Sequence, residues 1–323
     1  MKPSTLVIAV ASGLASALLF AGIVLQSASA LSLALAAPIP IAIASLGWGS
    51  VAGFVAAATA GATIYAVTFS VPSALTLLVS MAIPTAVAGH LAGLARPADT
   101  EIRPANGNGR PAAPALDWYP LERVLMAITA MAVAACLFLG WMLGYDAAAF
   151  VPAVAQALGE GGATGANGPD QEQLRELASL VVSLVPFVQP AMLTIVLVAG
   201  LYLGATVTRI SNRLPRPRDD LPSVAGLPRS TLLVFAAGAI AAFVGGTVGV
   251  IGAVIVGAFG AAYTLIGLAS LHRRSRGRPG RGLVLFTSYA AILLLSFPLL
   301  VFMGIGLFQT WRHGDGTAAS DNQ

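Results

Sequence analysis

The run PSTLVIAVASGLASALLFAGIVLQSASALSLALAAPIPIAIASLGWGSVAGFVAAATAGATIYAVTFSVPSALTLLVSMAIPTAVAGHLAGLA, residues 3–95, contains no Asp, Glu, Lys or Arg. A helix that crosses a bilayer needs about 20 apolar residues, so this stretch has room for four crossings joined by tight turns. Its punctuation divides it at Gln26-Ser27-Ala28-Ser29, at Gly47-Trp48-Gly49-Ser50 and at Ser70-Val71-Pro72-Ser73. Helices are therefore expected near 5–26, 30–47, 50–69 and 72–95. Pro38 and Pro40 either break the second or leave it re-entrant, because proline lacks an N–H and clashes with the preceding turn. Over all 323 residues the chain is 57% hydrophobic and only 9% charged, with a mean hydropathy of +0.85. Soluble domains are about 45–50% apolar and about 25% charged. The excess apolar sequence needs lipid as its solvent.

The rest of the chain extends this pattern. Residues 96–120 carry Arg96, Arg103 and Arg110 among Pro, Gly and Asn and read as a flexible loop without a core. Trp118-Tyr119-Pro120 is an interfacial anchor with a helix-start proline, opening a fifth span at about 121–144. Residues 146–170 are Gly/Ala-rich and acidic and read as loosely ordered. Leu174, Leu177, Val181 and Leu184 have helical spacing, which predicts an amphipathic interfacial helix over 171–185. Further spans follow near 190–209, 230–245, 248–271 and 283–308, the last kinked at Pro298. Ala28-Ser29-Ala30 has the form of a signal-peptidase site. The apolar run before it is nevertheless longer than the 7–15 residues of a signal core, so the first helix is expected to stay.

Arginine placement orients the bundle. The segments 96–120, 209–229 and 272–281 hold most of the arginines, whereas 146–187 has Arg175 alone beside five acids. Nine crossings put the three basic segments on one side, and positive charge stays inside. The expectation is one integral membrane domain over 1–323: an all-α polytopic bundle of about nine spans with a cytoplasmic N-terminus and an external C-terminus. Eight spans result if the second segment is re-entrant.

Several chemistries have no footing. Lys2 is the only lysine, so there is no P-loop; Cys136 is the only cysteine, so there is neither a disulfide nor a thiolate cluster. His90, His272 and His313 are far apart, the acids lie in predicted loops, and no Gly-x-Ser-x-Gly elbow occurs. No catalytic residue, metal or cofactor is expected. The net charge of +4 belongs to membrane-side loops and not to nucleic-acid binding.

Three groups of residues remain as candidates. His90 is the one histidine expected within a span; with Tyr65 and Thr68 it is a candidate solute contact. The hydroxyls of Thr59, Thr63, Ser73, Thr76, Ser80 and Thr85 either line the same uncharged cavity or bond their own helix backbone. Ala9, Gly13, Ala17 and Ala21 recur every fourth residue, as do Gly245, Gly249, Ala253, Gly257 and Ala261. Such stripes let helices approach closely, either within the chain or against another membrane subunit. Arg273, Arg274, Arg276 and Arg278 are candidates for anionic lipid headgroups.

Ala37-Pro38-Ile39-Pro40-Ile41 through Trp48, Asp117-Trp118-Tyr119-Pro120-Leu121, Leu265-Ile266-Gly267-Leu268-Ala269 and Met303-Gly304-Ile305-Gly306-Leu307 with Trp311-Arg312 resemble the YybS-like bacterial multi-pass membrane proteins in their alphaproteobacterial form. Gln309 stands where that pattern usually has an acid. The resemblance implies the bacterial cytoplasmic (inner) membrane and no established activity. The N-terminal helices are similar to the substrate-binding subunits of energy-coupling-factor transporters, which implies that Ala9, Gly13, Ala17 and Ala21 dock a coupling subunit. Two functions follow as expectations. One is a non-enzymatic substrate-capture subunit for a small solute; the other is a structural or assembly protein that organises partners or lipid. A cavity among the first five helices favours the former and a solid bundle the latter.

Overall fold

The computed structural model describes residues 2–24, 32–98, 116–161 and 170–317. It is almost entirely helical. Helices α1 (Pro3–Val24), α2 (Pro38–Trp48), α3 (Ser50–Thr68) and α4 (Val71–Ala92) occupy the charge-free run. They are followed by a two-stranded ribbon of β1 (Ala95–Pro97) and β2 (Leu116–Trp118), then α5 (Leu121–Met142), α6 (Ala147–Gly161) and α7 (Gln171–Ile210). The last part comprises α8 (Leu221–Val224), α9 (Ser230–Ala242), α10 (Gly246–Arg274), α11 (Arg281–Leu295) and α12 (Pro298–Thr317). Six helices, α1, α3, α4, α5, α7 and α10, are long and apolar enough to cross a membrane.

That count is below the nine expected, and each shortfall has a local cause. The segment 30–47 yields α2, 11 residues long with proline in its first turn. By helix rise this is about 16 Å, half of a hydrocarbon core of about 30 Å. The segment 230–245 yields α9, 13 residues long and ended by a turn in which Gly245 and Gly246 take φ of 81° and 55°. The segment 283–308 is not one kinked span. It breaks at Ser296, whose φ is 54°, and α12 starts afresh with Pro298, a residue suited to a helix start.

Other elements are more ordered than expected. The ends of the 96–120 loop pair antiparallel, Arg96 opposite Asp117, with an exposed ion pair of 2.9 Å between them. Residues 147–161 are helical and pack on the start of α7, where Gly159 faces Leu174. The interfacial helix expected over 171–185 and the span expected over 190–209 are one helix of 40 residues. Its start is fixed by a reciprocal cap: the Asp170 carboxylate accepts from the Gln173 N–H at 2.8 Å and the Gln173 carbonyl oxygen accepts from the Asp170 N–H at 3.1 Å. Pro186 and Pro190 lie inside it without ending it. In α4 a π-turn at Leu78–Ala82 precedes Pro84, relieving the crowding that proline imposes on the turn before it.

Small residues set the packing. Gly200 and Gly204 of α7 lie on Pro38 and Ala42 of α2, and Gly47 lies on Thr208, so these helices run parallel. Gly260 and Gly267 of α10 lie on Met303 and Phe302 of α12, and Gly306 lies on Tyr263; Thr264 beside Leu299 and Ser270 bonded to Gln309 show that these helices also run parallel. Helix α9 runs against α10, with Gly238 on Ile255 and Thr231 bonded to Tyr263 at 2.8 Å. Directions fixed this way bring the ends of α2, α4, α7, α10 and α12 together at one end of the molecule. The arginine-bearing segments gather there. Arg213 stacks over Trp48 at 4.8 Å, Arg276 pairs with Asp220, and Arg229 donates to the Trp311 carbonyl. A bond from Arg273, in the last turn of α10, to Gln309 at 3.2 Å places the end of α12 at the arginine end, whereas nine crossings put it on the opposite face.

Two pieces of chain enter the bundle from that end: one continues through α9 to the far end, and the other turns back. Thr231, at the start of α9, meets Tyr263, about 16 Å by helix rise below Arg274. Residues 217–229 therefore descend from that end as largely irregular backbone around the single turn of α8. Helix α12 starts beside Thr264, where Leu299 lies, so α11 and α12 form a hairpin of similar depth. Irregular backbone at such depth in a membrane survives only where protein buries it or it lines a wet cavity.

Candidate functional site

A cavity of about 330 Å³ opens at the arginine end, between the start of α5, the descending segment and the end of α12. Its upper wall is built around Arg216, whose side chain is 8% exposed. The guanidinium donates to the Ala92 carbonyl at 3.1 Å, to the Tyr119 carbonyl at 2.9 Å and to the Asp219 carboxylate at 2.7 Å. One side chain thus joins the end of α4, the end of β2 and the start of the descending segment. The planar fork of arginine suits this; a lysine ammonium would not span the three sites.

Below Arg216 the wall is Gly226 and Leu227 on one side and Gln309 and Thr310 on the other. Leu227 is buried against Phe259, Tyr263 and Ile266, which holds the segment down. The Gln309 amide donates to the Ser270 hydroxyl and its carbonyl accepts from Arg273 at 3.2 Å. The Thr310 hydroxyl, in a residue 3% exposed, has no partner. The N–H groups of Gly226 and Leu227 also have none among the described residues. Buried polar groups are nearly always hydrogen-bonded, so the Thr310 hydroxyl is an exception, whereas Gly226 is only half-buried. Glu122, in the first turn of α5, completes the wall at the mouth.

Next to the cavity, Arg276 donates to Asp220 at 2.6 Å. That hydrogen bond, with one from Ser223, holds the Asp220 carboxyl well below the usual carboxylate range. A second cavity, a crease beside the π-turn bounded by Val79, Ile83, Met131 and Phe138, is apolar.

The residues singled out from sequence lie elsewhere. Tyr65 and Thr68 sit at the end of α3 away from the arginines, Tyr65 being 48% exposed. His90 sits at the arginine end of α4, 2.6 Å from the Ser50 hydroxyl. Ser50 and Tyr65 are about 22 Å apart by helix rise on α3, so these three side chains share no cavity. The hydroxyls of Thr59, Thr63, Thr68, Thr76 and Ser80 each bond the carbonyl four residues earlier. Ala9 and Ala17 are buried, and Gly13 lies against Ala56 and Thr59 of α3. The stripe is covered by its own chain. Of the four C-terminal arginines, Arg273 and Arg276 are engaged with Gln309 and Asp220, while Arg274 and Arg278 are exposed.

Glu122, Arg216 and Thr310 were not singled out from sequence. Glu122 had one visible signal, an isolated acid just after the Trp-Tyr-Pro anchor. Arg216 looked like any arginine of a basic loop, because two of its three acceptors come from segments about 100 residues distant. No protein-family model, curated protein or solved structure matches the chain.

Proposed function

We propose that the chain is a non-enzymatic protein of the bacterial inner membrane that captures a small polar solute at its arginine end. The observation that supports this is the cavity at that end, whose lining includes the polar residues Glu122, Ser223, Gln309 and Thr310 beside the Arg216–Asp219 pair. A solute matching this polar wall would gain about 0.5–1.5 kcal/mol for each hydrogen bond it makes. A cavity of about 330 Å³ lies at the small end of the range for ligand sites. The solute would enter from the side where basic segments collect, which the positive-inside rule makes the cytoplasm. Arg274 and Arg278 would rest on anionic headgroups there. A partner subunit would have to meet α1 through Leu6, Val10 and Leu14, which are exposed, since α3 covers the small-residue stripe.

The test is native mass spectrometry of the protein released from its membrane in mild detergent. Wild type should carry a non-lipid adduct of small mass, and Gly226→Trp, which fills the cavity, should lack it. No adduct on wild type, or the same adduct on both, overturns the capture reading. A second reading, a structural protein that organises partners, is favoured by the close small-residue packing of α1 to α4.

A further inference from the structure

Resting on the membrane placement in that reading and not on its cavity, we propose that the hairpin of α11 and α12 is the surface through which two copies of this chain pair. Leu299, just past the hairpin turn, meets Thr264, about 15 Å by helix rise below Arg274. The turn at 295–298 therefore lies near the middle of a hydrocarbon core of about 30 Å. Its own chain leaves it uncovered, with Leu295, Ser296 and Phe297 all exposed. Its polar groups are open as well. Pro298 has no N–H and the Phe297 N–H turns to the Leu295 carbonyl. The Leu293 and Leu294 carbonyls, which end α11, thus have no partner among the described residues, and neither has the Ser296 hydroxyl. Irregular backbone at that depth survives only against protein or a wet cavity, and these residues line neither cavity described above. Higher up, no residue of α11 is buried. The Tyr289 hydroxyl meets His272 at 2.8 Å, so the exposed Phe286 and Leu283, about one and two turns nearer the arginine end, stand among the arginines, where acyl chains end. Lipid suits neither end of this surface; protein suits both. A second copy fits it. From Gly282 to Trp311 there is no Asp, Glu, Lys or Arg, so a two-fold axis beside the hairpin brings no like charges together. The tip carries a free donor, the Ser296 hydroxyl, beside free acceptors, the Leu293 and Leu294 carbonyls. Two tips related by that axis satisfy each other reciprocally, as an interface of one patch with itself requires. Phe286, Leu293, Leu294, Phe297 and Leu300, each at least 60% exposed, supply the apolar contact around them.

The test uses the full chain with Cys136→Ala, two differently tagged copies co-expressed, and single cysteines oxidised with copper phenanthroline in isolated membranes. A disulfide needs Cβ atoms about 4 Å apart, so it reports direct contact. Phe297→Cys should give a product of twice the chain's mass that carries both tags. Its yield should be several-fold above that of Leu14→Cys, which is 48% exposed at comparable depth on α1 and reports chance collision. Leu294→Cys, also at the tip, carries the same measurement should Phe297→Cys not accumulate. No product at either tip position, a yield equal to that of Leu14→Cys, or a product with one tag and another mass overturns pairing through this hairpin while the capture reading stands. Release of the chain from the vesicles by carbonate overturns the membrane placement and both proposals with it.

Discussion

Arg216→Ala should be among the most damaging single substitutions at the arginine end. The guanidinium makes two hydrogen bonds to backbone carbonyls, at 3.1 and 2.9 Å. Bonds from a charged donor contribute about 1.5–3 kcal/mol each. The ion pair with Asp219 at 2.7 Å adds less, because the Asp219 side chain is 26% exposed and rehydrates when its partner goes; about 1 kcal/mol is a fair share. The sum is about 4–7 kcal/mol, and its lower part overlaps the 3–5 kcal/mol typical of breaking a buried charged contact. Asp219→Asn leaves both carbonyl bonds in place and should cost only about 1 kcal/mol. Equilibrium unfolding by increasing sodium dodecyl sulfate in mixed micelles measures both, and Trp118, whose ring lies 5.9 Å from the guanidinium carbon, is a local fluorescence probe. A loss below about 1 kcal/mol for Arg216→Ala, or equal losses for the two variants, would refute the view that this one side chain staples three segments.

Three further outcomes are expected. Gly267→Ala, whose Cβ would overlap the Phe302 carbonyl, should force α10 and α12 apart and cost about 1–3 kcal/mol by the same unfolding assay. Gly282→Ala, with nothing near its Cβ, should be neutral or stabilising by up to about 1 kcal/mol; similar losses at both sites would mean that the α10–α12 contact is not tight. Single cysteines replacing Arg218 and Trp311, in a Cys136→Ala background, should label from the same side of sealed vesicles, since Arg229 ties Trp311 to the arginine end; labelling from opposite sides would restore the nine-span topology. The Asp220–Arg276 pair should persist through mild acid. A carboxyl depressed below its ordinary 3.8 contributes stability that is complete above that value and is lost as pH falls beneath it. The difference in melting temperature between wild type and Asp220→Asn should therefore stay constant from neutral pH to about 5 and shrink only below about 4. A difference that disappears by pH 5 would exclude the pair as drawn.

Much of the architecture was legible because it depends on solvent preference along the chain. Pro3 to Ala95 lacks charge, so helices had to form where backbone groups cannot bond water, and α1, α3 and α4 lie where the punctuation put them. Helix lengths were harder to read. An apolar segment such as 283–308 looks alike whether it crosses once or folds into a hairpin, and the decision rests on Ser296 adopting a positive φ. The join of 171–185 to 190–209 was equally hidden, because Pro186 and Pro190 are usual stopping points and only packing on α10, where Gly257 meets the Phe187 backbone, carries the helix through them.

The candidate site was the least legible part. His90, Tyr65 and Thr68 are the polar residues a hydropathy profile exposes, yet they lie on opposite ends of α3 and α4. The wall that holds the unmatched groups is made of a loop, a helix start and a helix end that are remote in sequence.

The amino-acid sequence by itself determined that the chain carries more apolar residues than a soluble domain, that its secondary structure is helical, and that its arginines collect in a few segments; these follow from transfer free energies that each residue carries with it and from their order along the chain. Tertiary structure alone decided which helices are long enough to cross a membrane, which apolar segments break into shorter ones, and that Arg216, Glu122 and Thr310 line one cavity. Those outcomes depend on where glycines allow two backbones to touch and on hydrogen bonds between segments about 100 residues apart, quantities that have no value until the chain has folded.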